Sequence, residues 1–363
     1  MAQLGWFKHS DSEFVVSRQS IQRALTLELS RENKMRLKDV ADCARVSPST
    51  VSRVLNHPAL VGTETRDRVT VAIESLGYNP NFHASSLAAG KSRTVGVIVS
   101  NSANPFFLDV YKVIEGAALK VGYEVIMANT DYKHEHLAAS VRLMLGRRVA
   151  GLAVIAAEID QDSIEELEES QIPLVFYDFG TPRKNTLILR VNYLRGMERL
   201  IRYLYSLGHS QVGFVGHHTM LGSMKECMRL VQDFVPGCPR LQVRTAITDD
   251  SLEGGRRAAR TMLTADRSLT ALICATDLIA VGALRGLRET GLRVPNDISV
   301  TGFDDVTLAQ YCYPTLTSVN IPRDRIGQII CDFLITGAEE FPEEVFIDPE
   351  LVLRDSTALI NRL

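Results

Sequence analysis

Between Leu37 and Asn56 the chain reads LKDVADCARVSPSTVSRVLN. This is the pattern of two short helices joined by a tight turn. Val40, Ala41 and Ala44 are spaced to line one face of the first helix. Ser47 is a good N-cap for the second, and Pro48 falls at its first helical position, where a missing N–H costs nothing. Val51, Val54 and Leu55 form an inward face at spacings of three and four. Ser49, Thr50, Ser52 and Arg53 are left for the outward face. Short polar residues in the first turn, with an arginine one turn later, suit the major groove of DNA. A solvated helical hairpin would show the same two-helix pattern.

The sequence beyond Asn56 separates the two readings. A third helix is predicted from Thr63, as N-cap, to Leu76, with Gly77 as a good C′ residue. The chain continues as GYNPNFHASSLAAGKSRTVGVIVSNSANPFF. The segments DVA, TVSRVLN and LGYNPN, in this order and spacing, resemble the head of a LacI/GalR-family transcriptional regulator. The likeness continues in NPFF at Asn104–Phe107, LGH at Leu207–His209, VPNDISVTGFDD at Val294–Asp305 and PTLTSV at Pro314–Val319. It spans Arg36 to Thr357. The resemblance implies a small all-α helix-turn-helix headpiece and an α/β, bilobed, periplasmic-binding-protein-like sensor built of two doubly wound parallel sheets. It also implies a homodimer on double-stranded, pseudo-palindromic operator DNA, because one helix reads only about four base pairs.

Length and charge agree with this division. A chain of 363 residues is too long for one ordinary domain. The expected organisation is an extension over 1–34, a DNA-binding domain over 35–80, a hinge over 81–93 and a two-lobed effector-binding and dimerisation domain over 94–363. Met35 to Arg93 carries eight Lys and Arg against five Asp and Glu, whereas Thr94 onward carries 27 basic and 34 acidic residues. A basic head on an acidic body fits a DNA-contacting domain attached to a sensor. Residues 1–34 read as a mis-assigned start or an extension without fixed structure; FVVSRQSIQRALTLELS would otherwise make a short amphipathic arm. No apolar run reaches membrane-spanning length, and the first 34 residues lack the apolar stretch of a secretion signal. The six cysteines are scattered, with no CxxC, and read as reduced thiols. A cytoplasmic, nucleoid-associated protein is expected.

The hinge stretch from Asn81 to Ala89 is too short and too polar to be a stable isolated helix. The resemblance implies that it folds when two copies pair on the operator. Leu87 from each copy would then wedge into the minor groove, with Ala84 permitting close approach and Asn81 contacting DNA. Unstacking a base step costs a few kcal/mol, offset by a bent duplex that meets more protein. Alternatively, Leu87 packs against the sensor. Ser85 stands where the family often has arginine. Arg45 stands in the turn where Gly or Asn suits a left-handed backbone, at a cost of ~1 kcal/mol.

The sensor opens with the apolar run TVGVIVS at Thr94–Ser100, a buried parallel strand, followed by helix-like sequence from Phe107 to Val121. The alternation repeats through YEVIMANT, GLAVIAA and IPLVFYDFG, then in a second series through VGFVG, ALICAT and ISVTGFDD. Two series mean two lobes, each a parallel sheet covered on both faces. Ligands of such sheets bind off the carboxyl ends of the strands, which here carry Asn101, Asp131, Asp178, Thr276 and Asp304. Phe106 and Phe107 lie just beyond the first strand, where an aromatic ring could stack on a sugar or base. Family correspondence favours Asp178, Asn192, Thr276 and Asp304 as effector contacts, although Asp178 and Asp304 would also serve as helix caps. Glu226 stands where the family commonly has an arginine that clamps an effector oxygen. Acceptor in place of donor implies a neutral or cationic polyol, or a cleft that binds no small molecule. His217 and His218 are adjacent and point apart, so a metal site is not expected there.

No catalytic constellation is present: no GxSxG, P-loop, HExxH or dinucleotide glycine fingerprint. The expectation is a sequence-specific regulator, a repressor whose operator affinity is set by a small molecule, most simply a sugar. It is not an enzyme and has no cofactor or metal. Pro48, Ser49 and Arg53 would read bases, Arg53 taking guanine through O6 and N7, while Ser47 and Thr50 hold phosphates. Two rivals remain: a regulator with a vestigial cleft governed by a partner protein, and a solute-binding protein. The second would need a secretion signal and no helix-turn-helix.

Overall fold

The computed structural model describes residues 35–56, 58–78, 92–156, 158–218, 238–337 and 341–360. Contacts divide the chain into two compact units, 1–89 and 90–363.

In the first unit, α1 (Leu37–Ala44), α2 (Pro48–Asn56), a 3-10 turn at Pro58–Leu60 and α3 (Thr63–Leu76) enclose a small core. Val40, Ala41, Ala44, Val51, Val54, Val69 and Ala72 are buried in it, as the helical spacing predicts. Arg45 ends α1 in the left-handed conformation, at φ 55° and ψ 48°. The side chain of Ser47 accepts from the Thr50 N–H at 3.1 Å, which is the expected cap of α2. Gly62, not Thr63, is the N-cap of α3; Thr63 is already helical, a one-residue difference of the kind usual at helix ends. Gly77 closes α3 at φ 58°, and the Tyr78 N–H returns to the Ile73 carbonyl.

The second unit holds two six-stranded sheets. The first contains β1 (Thr94–Val99), β2 (Glu124–Asn129), β3 (Gly151–Ile155), β4 (Leu174–Tyr177), β5 (Thr186–Val191) and β11 (Glu344–Ile347), in the order β11-β5-β4-β3-β1-β2. All of its pairings are parallel. The second contains β6 (Gln211–His217), β7 (Gln242–Thr248), β8 (Ala271–Cys274), β9 (Ser299–Asp304), β10 (Thr317–Asn320) and β12 (Glu350–Val352), in the order β12-β10-β9-β8-β6-β7. It is parallel, as expected, except at the edge strand β12, which runs antiparallel to β10. A strand arriving directly from the other sheet, without a helical crossover, is free to enter the edge in that sense.

Helices α4 (Pro105–Lys120), α5 (His134–Gly146) and α6 (Gln161–Glu169) follow β1, β2 and β3. The chain crosses between sheets three times. It leaves β5 through α7 (Tyr193–Ser206) to β6, leaves β10, which follows the short α10 (Leu308–Tyr311), through α11 (Arg323–Thr336) to β11, and passes from β11 to β12. A Cβ added at Gly196 of α7 would meet Pro349, Val319 and Phe303, which places α7 on the second sheet. α11 packs instead on α4 and β3 of the first lobe. The inner strands are covered on both faces: five of six β1 residues and all six of β9 are buried, whereas the edge strands β2, β7 and β12 are partly exposed.

In the second lobe, α8 (Leu252–Ala265) and α9 (Asp277–Glu289) approach unusually closely. A Cβ built on Gly255 would lie 2.0 Å from the Ile279 carbonyl oxygen, and one on Gly282 2.0 Å from that of Leu252. His209 is buried between its lobe and the C-terminal segment. Its Nδ1 lies 3.0 Å from Thr270 Oγ1, and its Nε2 3.0 Å from both the Ala358 carbonyl and Ser299 Oγ. Burial pulls its pKa below 6.5, against the opposing effect of the Ala358 carbonyl.

Both features bear on stability. Gly255→Ala must force α8 and α9 apart and should cost about 2–3 kcal/mol in urea unfolding. For His209 the unfolded chain binds the proton more readily, so its contribution is complete above pH 6.5 and is lost as the pH falls below it. Melting temperatures measured from pH 8 to pH 5 should fall less steeply in His209→Gln than in the wild type.

Candidate functional site

The exposed surface of α2 is set by what its other face buries. With Val51 and Val54 in the core, Ser47, Pro48, Ser49 and Arg53 are exposed and Thr50 is half-buried. Ser47 Oγ lies 2.7 Å from Ser49 Oγ and 2.8 Å from Thr50 Oγ1, so the three hydroxyls form one cluster over the start of the helix. Among the described residues Arg53 forms no ion pair, which leaves its guanidinium available. The hinge residues Asn81, Ala84, Ser85 and Leu87, and the extension 1–34, lie outside the described residues.

In the sensor, the carboxyl ends of the strands carry the polar groups. Asp250, two residues beyond β7, is 8% exposed and draws residues of both lobes together. Its Oδ2 accepts from Asn101 Nδ2 at 3.1 Å, Asn104 Nδ2 at 3.2 Å and the Tyr132 hydroxyl at 2.9 Å. Its Oδ1 accepts from Thr276 Oγ1 at 2.8 Å, and its carbonyl accepts from Asn101 Nδ2 at 3.1 Å. Asn104 also caps α4, accepting from the Phe106 N–H at 3.1 Å, and it hydrogen-bonds Asp304.

Asp304 is buried at the end of β9 with φ 100°. Burial pushes its carboxyl well above the ordinary range. Asp277 and Asp250 push the same way, and Arg323 and Asn104 oppose them. Asp277 is pushed up to about 7 by burial, despite accepting from Ser318 Oγ at 2.6 Å and the Val306 N–H at 2.8 Å. Arg323 donates to the carbonyls of Asp304 and Asp305, and its Nε lies 3.5 Å from Asp109. Its guanidinium is therefore spent on backbone and on a second carboxylate.

The sequence-derived cleft residues distribute unevenly. Asn101, Thr276 and Asp304 lie in this cluster. Asp178 is buried nearby, at φ 65°, and accepts from the Val191 N–H at 3.3 Å. It caps no helix, since β5 follows. Thr276 does cap one, accepting from the Ile279 N–H at 3.2 Å. Asn192 caps α7 and donates to Asp348 at 3.2 Å, at a crossing between the lobes. Phe106 is 4% exposed and stands 6.0 Å from the Tyr177 ring and 5.5 Å from half-buried Phe107. Asp131 is exposed and takes a hydrogen bond from Asn129, while its neighbour Tyr132 is the one that reaches Asp250. Glu226 lies outside the described residues. His217 stands with its ring 6.1 Å from that of Tyr132, and His218 is exposed. Among the described residues no group of three His, Cys, Asp or Glu side chains is placed to hold a metal ion. No described helix is long and apolar enough to cross a membrane.

Sequence reasoning missed Asp250, Tyr132 and Arg323, and treated Asn104 only as part of a motif. The alternating run QVRTAIT at Gln242–Thr248 was the available signal for β7, whose carboxyl end carries Asp250. The Asn-Pro pair at Asn104–Pro105 was the signal for a capping asparagine.

Comparison with known proteins agrees over nearly the whole chain. Residues 36–81 match the family of bacterial regulatory proteins, lacI family, and residues 201–357 match the periplasmic binding protein-like domain. The HTH-type transcriptional repressor PurR of Edwardsiella ictaluri is 33% identical over 331 residues, covering 89% of this chain and 96% of that protein. PurR of Photobacterium profundum is 30% identical over 338 residues, covering 90% and 99%. The chain belongs to the LacI family. As a member it is a DNA-binding transcriptional regulator of the repressor type and not an enzyme. The lac repressor dimer bound to operator and the anti-inducer ONPF superposes with a TM-score of 0.76 at 28% identity, covering 90% of this chain and 100% of that one. A complex of the transcriptional regulator CelR with cellobiose gives 0.64 at 25% identity, covering 89% and 99%. The LacI-type headpiece and the two-lobed sensor inferred from the residues are both present.

Proposed function

We propose that this protein is a homodimeric repressor that recognises a pseudo-palindromic operator through α2 and releases or tightens it in response to a polyhydroxylated small molecule, of the sugar class, bound between the sensor lobes. The observation that carries the DNA-reading half is the division of α2 into a buried apolar face and an exposed polar one. Pro48, Ser49 and Arg53 face outward for base contacts. Ser47 and Thr50, already clustered at the N-terminus of the helix, are suited to phosphate oxygens. Arg53 has the planar fork that matches guanine O6 and N7. In this reading residues 35–80 are the DNA-binding domain, 81–93 the hinge with Asn81, Ala84 and Leu87 at the minor groove, and 94–363 the sensor. Dimerisation supplies the second half-site, as in the lac repressor dimer. The protein would act in the cytoplasm, at the nucleoid.

The effector class is argued from the charges of the cleft. Buried Asp178, Asp250 and Asp304 lie at or just beyond the carboxyl ends of strands, and Arg323 is engaged by backbone carbonyls and Asp109. Among the described residues, an anionic ligand would meet carboxylates with no free cation beside them. A hydroxyl both donates and accepts, so a polyol can donate to Asp250 and Asp304 while accepting from Asn101, Asn104 and Tyr132. Phe107, just beyond β1, would offer its ring for stacking on a pyranose face. Asp131 and Asn192 would contribute at the rim and at the lobe crossing. Occupancy would alter the relation of the lobes and thereby the pairing of the two Leu87 segments.

Selection of bound fragments from sheared genomic DNA, using protein beginning at Met35, tests the reading. A palindrome with a flexible central step is expected. Arg53→Ala should lose preference for that site by 10-fold or more, equivalent to about 1–3 kcal/mol, while keeping weak, salt-sensitive binding. Survival of the preference would place recognition elsewhere. Thermal-shift screening of sugars and nucleosides should give a stabilising sugar whose effect is weakened in Asp304→Asn. Stabilisation by an anionic nucleotide instead would overturn the effector class.

A further inference from the structure

The bonds of Asp250 join the two lobes beside three chain crossings, the Tyr132–His217 ring contact and the bonds of Arg323 to the end of β9. Asn101 lies beyond β1, Asn104 caps α4 and Tyr132 lies beyond β2, all in the first lobe; Thr276 caps α9 in the second. One carboxylate from the second lobe thus gathers three side-chain donors from the first. Among the described residues it forms no ion pair, so its charge is met by neutral donors alone. A nearly buried carboxylate is tolerated only while such donors surround it. Several of those donors are fixed from behind. Asn104 Oδ1 is held by the Phe106 N–H, Asn101 Oδ1 accepts from the Ala103 N–H at 3.0 Å, and Thr276 is committed as the α9 cap. The group is preorganised from both sides, and every bond in it is supplied by the chain.

We infer that Asp250 is an internal latch that holds the two lobes together without a ligand. This goes beyond the proposed effector class and does not depend on it. Separating the lobes removes three donors from Asp250 at once and leaves a carboxylate with Thr276 alone. Any effector must then take Asn101, Asn104 and Tyr132 over from Asp250, so the strength of the latch sets the threshold of the response. Asp250 acts as a positioning residue, and the device is a lobe equilibrium biased toward closure by the chain itself.

Hydrogen–deuterium exchange of the full chain, without DNA or any sugar, reads the latch directly. Asp250→Ala should speed exchange about 10-fold or more in peptides over residues 101–111 and 248–252, which face each other across the cleft, while β8 and α9 keep wild-type protection. Tyr132→Phe, which removes one donor and little volume, should speed the same peptides by a smaller factor. Asp250→Asn should fall between. Unchanged exchange at both segments in folded Asp250→Ala would overturn the latch, as would an equal acceleration throughout the second lobe, which would mean general destabilisation. If Asp250→Ala does not fold, Tyr132→Phe and Asp250→Asn decide, and wild-type exchange in both refutes the inference. Because neither operator nor sugar is present, failure here is distinct from failure of the effector assignment.

Discussion

Parallel strands that share a sheet must all end at the same edge, and the sensor is organised around that constraint. Strand–helix alternation with right-handed crossovers leaves only one edge of each sheet where loops can present polar groups without a helix over them. Asn101, Thr130, Asp178, Thr276 and Asp304 all close a strand or lie just beyond one. Three crossings of the chain bring residues from such edges of both sheets together at Asp250. The interior stays apolar because the strands are buried on both faces, so the polar chemistry of the molecule is concentrated where the strands stop.

The resulting cleft is rich in carboxylates and in neutral donors. Asp304 and Asp277 sit in environments that resist ionisation, chiefly because they are buried and then because carboxylates lie near them. Arg323 holds the carbonyls of Asp304 and Asp305 at the end of β9. In the first lobe, Glu158 accepts from Ser100 Oγ at 2.7 Å and from the Thr130 hydroxyl, tying the ends of β1 and β2 together. Buried carboxylates met by hydroxyls and amides recur through this region, and they favour partners able to donate hydrogen bonds.

The headpiece works by a simpler principle. Its core is made of small and β-branched residues; Arg45 turns the chain between α1 and α2 in the left-handed conformation, and Gly77 ends α3 in the same conformation. Glycine accepts that conformation freely, whereas arginine adopts it at a cost of about 1–2 kcal/mol. Burying Val51 and Val54 fixes the rotation of α2 about its axis. That rotation alone turns Ser49 and Arg53 outward.

Much of this was legible in the residues themselves. Helical spacing marked the three headpiece helices and their buried faces, and the Ser-Pro and Gly signals marked their ends to within one residue. Apolar runs marked seven of the twelve strands among the described residues. The strands they left unmarked are β5, β7, β10, β11 and β12; β10, β11 and β12 are short, β7 is an edge strand with alternating exposure, and β5, although apolar, follows β4 with no helix between them to break the pattern. Periodicity is a local signal, and an edge strand carries half of it. The cleft was legible only as a set of strand ends. Asp131 and Tyr132 are neighbours in sequence, and nothing local says which of them reaches Asp250. Asp250 lies 149 residues from Asn101 and 26 from Thr276. The sequence by itself determined the fold class, the headpiece and the exposed polar face of α2, because those depend on spacing along the chain. Only the tertiary structure decided which side chains meet in the cleft, because that depends on the three crossings that carry the ends of two separate sheets to one place.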